Sequence, residues 1–173
     1  MIDRLHELLT GHVMLVGIGN RLRGDDGLGP ELIERLSGCV TTIRLDCGEV
    51  PERYFGVIEA AQPDSILLID AVNLGAEPGA AALFKAHELP ERVGTTHNVP
   101  LSVLASYLAE QTNAKIALLA VQPQSTALET TLSPQVERTL DALVAIISQW
   151  DQRRLSACKE MVQPVTQIAG GLN

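Results

Sequence analysis

Aromatic side chains are scarce: two Tyr, two Phe and one Trp among 173 residues. Any core must therefore be aliphatic, built from Ala, Val, Ile and Leu. Basic residues are also few, 13 Lys and Arg against 21 Asp and Glu, for a net charge of −8. That field repels a phosphate backbone, and no basic run or aromatic stacking series offsets it, which argues against nucleic acid as a partner. No apolar run approaches the ~18 residues that span a bilayer, so no membrane role is expected. The opening MIDRLHELLTGH places charges where an export signal needs an apolar stretch. Cysteine is sparse too: Cys39, Cys47 and Cys158 are odd in number and lack CxxC spacing, which fits neither a disulfide frame nor a structural zinc site. A reducing cytoplasm is the expected compartment.

Apolar residues at 46% and charged residues at 20% describe an ordinary globular chain of one-domain length. The runs VMLVGI (13–18), SILLID (65–70) and KIALLAV (115–121) are continuous and aliphatic, the pattern of buried parallel strands. TTIRLD (41–46) is a more polar strand nearer an edge, and GAAALF (79–84) is a weaker candidate. Helical patterns lie between them. Pro30 suits the first turn of a helix running to about Leu36. Pro51 opens PERYFGVIEAAQ, Leu101, Leu104 and Leu108 stripe the segment after Pro100, and Ser133-Pro134 starts a helix reaching Trp150. This alternation predicts a three-layer α/β/α fold, a mostly parallel, twisted five-stranded sheet with helices on both faces. Residues 1–150 are expected to form the single domain, and residues 151–173 a partly flexible C-terminal extension.

In such sheets ligands bind beyond the carboxyl ends of the strands. Three segments meet that rule: the loop GNRLRGDDGLGP (19–30), Asp70 at the end of SILLID, and the TTHN loop (95–98). The first loop breaks the G-x-G-x-x-G pattern at Leu22, and no G-K-[ST] motif exists. Asp25 and Asp26 would repel a pyrophosphate at the following helix, so a nucleotide or flavin role is disfavoured. By itself the acidic pair also reads as a solvated turn beside a helix start. Asp70 shifts the balance, because a carboxylate ending an aliphatic strand is either buried at a desolvation cost or facing a cleft. If the first and third strands are neighbours, Asp26 and Asp70 approach one centre. His97 lies in a loop at the same edge, a context that His6, His12 and His87 lack. Two carboxylates and an imidazole make a divalent metal site with open positions, a donor set that leaves nickel, zinc and iron open. A Ser or Cys hydrolase has no G-x-S-x-G elbow here, and Cys47 reads as ordinary packing.

The ordered motifs GNRLRGDDGLGP, LLIDA, TTHNVPL and LLAVQP resemble those of the hydrogenase maturation endopeptidases, over roughly residues 13–150. The D-D-G-x-G-P, T-T-H-N and Q-P forms are most similar to the branch serving formate-hydrogenlyase-type hydrogenases. The resemblance implies an endopeptidase that removes the C-terminal extension of a nickel–iron hydrogenase large subunit precursor after nickel insertion. It also implies that Asp26, Asp70 and His97 contact nickel presented by that precursor and carry the catalysis, with Asp25 ordering the loop. An aspartic-type, nickel-dependent monomer is expected. A non-catalytic nickel-sensing chaperone is the alternative on the same fold. One departure stands out: Asp46 is followed by Cys47 and Gly48, where the family often has two glycines, so a side chain could alter the cleft floor.

Overall fold

A computed structural model describes residues 1–88 and 100–161. Five strands form one sheet in the order β2-β1-β3-β5-β4: β1 (Val13–Gly17), β2 (Ile43–Asp46), β3 (Ser65–Ala71), β4 (Ala81–Lys85) and β5 (Lys115–Val121). The first three and β5 run parallel, and β4 pairs antiparallel on the outside of β5. β1 and β3 are buried at every position, and β5 at all but Lys115. They read as unbroken aliphatic runs because both of their faces are covered. The outer strands β2 and β4 are half-exposed.

Alternate residues of the central strands serve two cores. Leu15, Leu67, Ile69 and Leu119 pack with Leu28 and Leu32 of α2 (Leu28–Arg35), Leu5 and Leu8 of α1 (Ile2–Leu8), and Leu140, Ile147 and Trp150. Met14, Val16, Ile66, Leu68 and Leu118 pack with Ile58 of α3 (Phe55–Ala60) and Leu101, Leu104 and Leu108 of α4 (Leu101–Thr112). The three-layer α/β/α architecture is thus as expected. The N-terminal helix α1 had no clear sequence signal, being only seven residues long. α2 starts two residues before Pro30, led in by a 3-10 turn at Gly24–Gly27. Pro51–Tyr54 forms a 3-10 turn of its own ahead of α3.

The last helix, α5 (Pro134–Met161), begins where Ser133-Pro134 marked it and continues through the boundary expected at residue 150. Asp151 is 1% exposed and accepts hydrogen bonds from the Thr41 N–H (2.7 Å), both threonine hydroxyls of Thr41 and Thr42, and Arg154 (3.0 Å). Arg154 also donates to the Gly11 carbonyl and lies 5.4 Å from the Trp150 ring centroid. Residues 151–154 are therefore bonded to the amino-terminal side of the sheet. Among the described residues no helix is long and apolar enough to cross a membrane.

Candidate active site

The carboxyl ends of β1 and β3 lie side by side, Gly17 opposite Ile69. The start of α2 is pressed against them. A Cβ on Gly29 would stand 2.3 Å from the Ile18 carbonyl oxygen and 2.6 Å from that of Ile69, so only glycine permits this approach. The chain leaving β1 must therefore turn sharply, and it does so at Gly19, whose φ of +141° suits glycine. A Cβ there would lie 1.8 Å from the Asp26 carbonyl oxygen, so the loop 19–27 closes on itself.

That closure sets Asp26. Its carboxylate accepts the Asn20 N–H at 2.8 Å, and its own N–H donates to the Arg23 carbonyl at 3.1 Å. Asp26 is 1% exposed. Asp70, fully buried, follows Ile69 on β3 and pairs in register with Ala120 of β5. Strand alternation places it on the side of Ile66 and Leu68, facing the α3 and α4 layer. Asp26 sits in the 3-10 turn at Gly24–Gly27, which packs against β3, and Asp70 stands near the carboxyl end of that strand. His97, the third residue singled out by the sequence, lies outside the described residues. Among the described residues no three His, Cys, Asp or Glu side chains converge as a metal cluster.

Asp25 is not part of a solvated turn. It is 1% exposed, and its carboxylate accepts the N–H groups of Gln124 (2.7 Å), Ser125 (3.2 Å) and Ser133 (2.6 Å) and the Ser133 hydroxyl (2.9 Å). The backbone reinforces this clasp: Gly24 N–H donates to the Glu129 carbonyl, and Asp25 N–H to that of Ser125. Charge-assisted bonds to several donors offset the desolvation of a buried carboxylate. The solvated reading fails because the donors lie about a hundred residues away in sequence. Two buried carboxylates ahead of α2 also make that helix start unsuited to a phosphate.

Sequence reasoning passed over two neighbours. Asn20 donates its side-chain amide to Glu49 (2.6 Å) and accepts the Leu22 N–H (2.9 Å), stiffening the first loop. Gln122, nearly buried beyond β5, accepts the N–H groups of Leu74 (2.7 Å) and Ala76 (3.3 Å), fixing the loop that leaves Asp70. Its signal was available: like Asp70, it is a polar residue closing an aliphatic run.

Beside the rim, a cleft of about 400 Å³ is lined by Gly19, Asn20, Arg21, Leu22, Pro30, Asp46, Gly48 and Glu49. Arg21 balances the acids there, pairing with Glu31 (2.7 Å), Glu34 (3.0 Å) and Asp46 (3.4 Å). Cys47 does not line the cleft floor. It is packed in the core with Met14, Val16 and Ile18. Burial, aided by the Asp46 charge, pushes its thiol up to about 12. A thiol so held is a poor nucleophile near neutral pH, and packing is its role.

The family described as HycI, hydrogenase maturation protease, matches residues 30–150. The hydrogenase 3 maturation protease of Escherichia coli K12 is 26% identical over 141 residues, covering 80% of this chain and 90% of that one. A crystal structure of the [NiFe] hydrogenase maturation protease HycI from Thermococcus kodakarensis KOD1 superimposes with a TM-score of 0.78 at 34% identity, covering 86% of this chain and 99% of that one. A crystal structure of a hydrogenase 3 maturation protease superimposes with a TM-score of 0.71 at 26% identity, over 80% and 90% of the two chains. With most of its length matched and a solved relative covered almost end to end, the chain belongs to the HycI hydrogenase maturation protease family.

Proposed function

We propose that this protein is the endopeptidase that removes the C-terminal extension from a nickel–iron hydrogenase large subunit precursor, once nickel has been inserted. Asp26, Asp70 and His97 are the residues proposed to meet that nickel, which the precursor carries as cargo. The observation that carries the reading is the pair of buried carboxylates of a maturation-protease fold, Asp26 in the turn packed against β3 and Asp70 near the end of that strand. Oxygen donors with one imidazole suit a divalent ion that keeps positions open for a second protein. When bound, nickel supplies a positive charge and coordination sites shared between protease and precursor. In the aspartic-type mechanism proposed here, a rim carboxylate accepts the proton of the attacking water and returns it to the leaving amine. The Asn20 N–H keeps Asp26 aimed for that work. A monomer acting in the cytoplasm fits the acidic charge and the sparse cysteines.

Coexpression of the precursor with the parent protein or with Asp26→Asn, Asp70→Asn or His97→Ala tests the proposal. Mass spectrometry of the precursor C-terminus is expected to show trimming by the parent and none by the variants. Normal trimming by all three variants rejects the site. Metal-dependent binding by the parent without shortening of the precursor assigns the chaperone role instead.

A further inference from the structure

Four of the polar side chains buried among the described residues belong to chain at or just beyond the carboxyl ends of the strands: Asp25, Asp26, Asp70 and Gln122. The first three are carboxylates; Gln122 alone is neutral. Its place follows from the strand order. Because β5 lies between β3 and β4, the chain joining those two strands must cross the carboxyl end of β5. Residues 72–80 make that crossing, and Gln122, the first residue after β5, is where they cross. Its side-chain oxygen accepts the Leu74 N–H (2.7 Å) and the Ala76 N–H (3.3 Å), while its amide donates to the Pro123 carbonyl (3.0 Å). Its own N–H donates to the Ala80 carbonyl (2.8 Å), and its carbonyl accepts the Gly79 N–H (2.8 Å). One residue thus holds both halves of a crossing that has no helix or strand of its own.

Asp70 stands two residues before this crossing begins. Two residues past Gln122, the N–H groups of Gln124 and Ser125 hold the Asp25 carboxylate, next in sequence to Asp26. Residues 122–125 therefore grip the segments that carry both proposed carboxylates. We infer that Gln122 is a positioning residue for trimming: by pinning residues 74–76 at the end of β5 it sets the path of the chain leaving Asp70, and so the placement of Asp70 against Asp26. A neutral carboxamide does this without adding a charge beside three carboxylates. The inference rests on the endopeptidase reading and deepens it by naming a residue that serves the site through the crossing loop.

Two substitutions test it. Gln122→Met keeps the bulk of the side chain and loses its bonds, and Gln122→Asn keeps the amide but is one methylene too short to reach both donors. Asp151→Asn, bonded at the amino-terminal side of the sheet, controls for general loss of stability. Each is compared with the parent for hydrogen exchange of the Leu74 and Ala76 amides, for Tm, and for kcat and KM in trimming purified nickel-loaded precursor, read by mass spectrometry well below every Tm. Both Gln122 variants are expected to exchange those two amides at least about tenfold faster. Their kcat should fall at least about tenfold with KM within about threefold, because a small misplacement is felt in the transition state more than in binding. Asp151→Asn should lose Tm and keep the parent's exchange, kcat and KM. Parent-like kcat in the Gln122 variants overturns the inference, as does a kcat loss with parent-like exchange. So does a raised KM at unchanged kcat, which would make the loop a substrate contact, or an equal kcat loss in Asp151→Asn. If neither Gln122 variant folds, the residue serves the fold and not the reaction, and the inference falls. In all these cases a parent that trims leaves the endopeptidase reading standing. A parent that leaves the nickel-loaded precursor uncut refutes that reading, and the inference with it.

Discussion

Replacing Asp25 by alanine removes one acceptor from four donors at once: three backbone N–H groups and the Ser133 hydroxyl. A hydrogen bond to a charged acceptor contributes ~1.5–3 kcal/mol, but the four do not simply add. The Ser133 hydroxyl can rotate to a new partner, and water enters part of the vacated space. Breaking a buried charge cluster by deleting one member costs ~3–5 kcal/mol, and that range is the expectation here. For a chain of this size each kcal/mol moves Tm by ~2–4 °C, which gives a fall of roughly 6–20 °C. Asp25→Asn keeps one acceptor oxygen and turns an amide NH2 toward the other donors, so its fall should be smaller. Trp150 is the sole tryptophan and is fully buried beside α1, so its fluorescence follows unfolding and calorimetry checks the midpoint. Trimming should decline as well, because the clasped loop carries Asp26. A Tm within about 2 °C of the parent for Asp25→Ala would refute the clasp.

Three further outcomes are expected. Burial alone would raise the Asp151 carboxyl, but the bonds from Thr42, Thr41 and Arg154 outweigh it and hold it below the usual range. Its stabilisation is therefore full above the unfolded carboxylate pKa and is lost as pH falls through the lower folded value. Urea midpoints of parent and Asp151→Asn should accordingly differ at pH 6 and converge as the pH is taken down through the carboxylate range. Gly29→Ala should cost ~1–3 kcal/mol or more, because the new methyl meets the backbone of Ile18 and Ile69. Gly56→Ala, with nothing within 4 Å and a helical position on α3, should gain ~0.5–1 kcal/mol, as thermal melts of the two will show. Cys47, with its thiol raised to about 12, should resist iodoacetamide at pH 8 in the folded protein and react in urea, read by peptide mapping. Cys47→Ala should still trim the precursor.

The central strands were legible because burial on both faces leaves no alternation to misread, and β1, β3 and β5 fall where VMLVGI, SILLID and KIALLAV stand. Asp70 was legible for the same reason, as a charge ending an otherwise aliphatic run. Asp25 was not, since its partners at Gln124 and Ser133 belong to a loop that local pattern cannot associate with it. The Asp151 network escaped likewise: a helix ending near Trp150 looks complete until Thr41 and Thr42 are known to lie beside the next residue.

The strand order also bears on how the chain is made. β5 inserts between β3 and β4, so on the ribosome β3 is finished while its eventual neighbour is still unsynthesised. Translation of residues 72–114 at ~5–20 residues per second leaves one ladder edge of β3 open for roughly two to nine seconds. An uncovered aliphatic edge invites pairing with a foreign strand, so the nascent chain passes through an aggregation-prone interval before β5 closes the sheet.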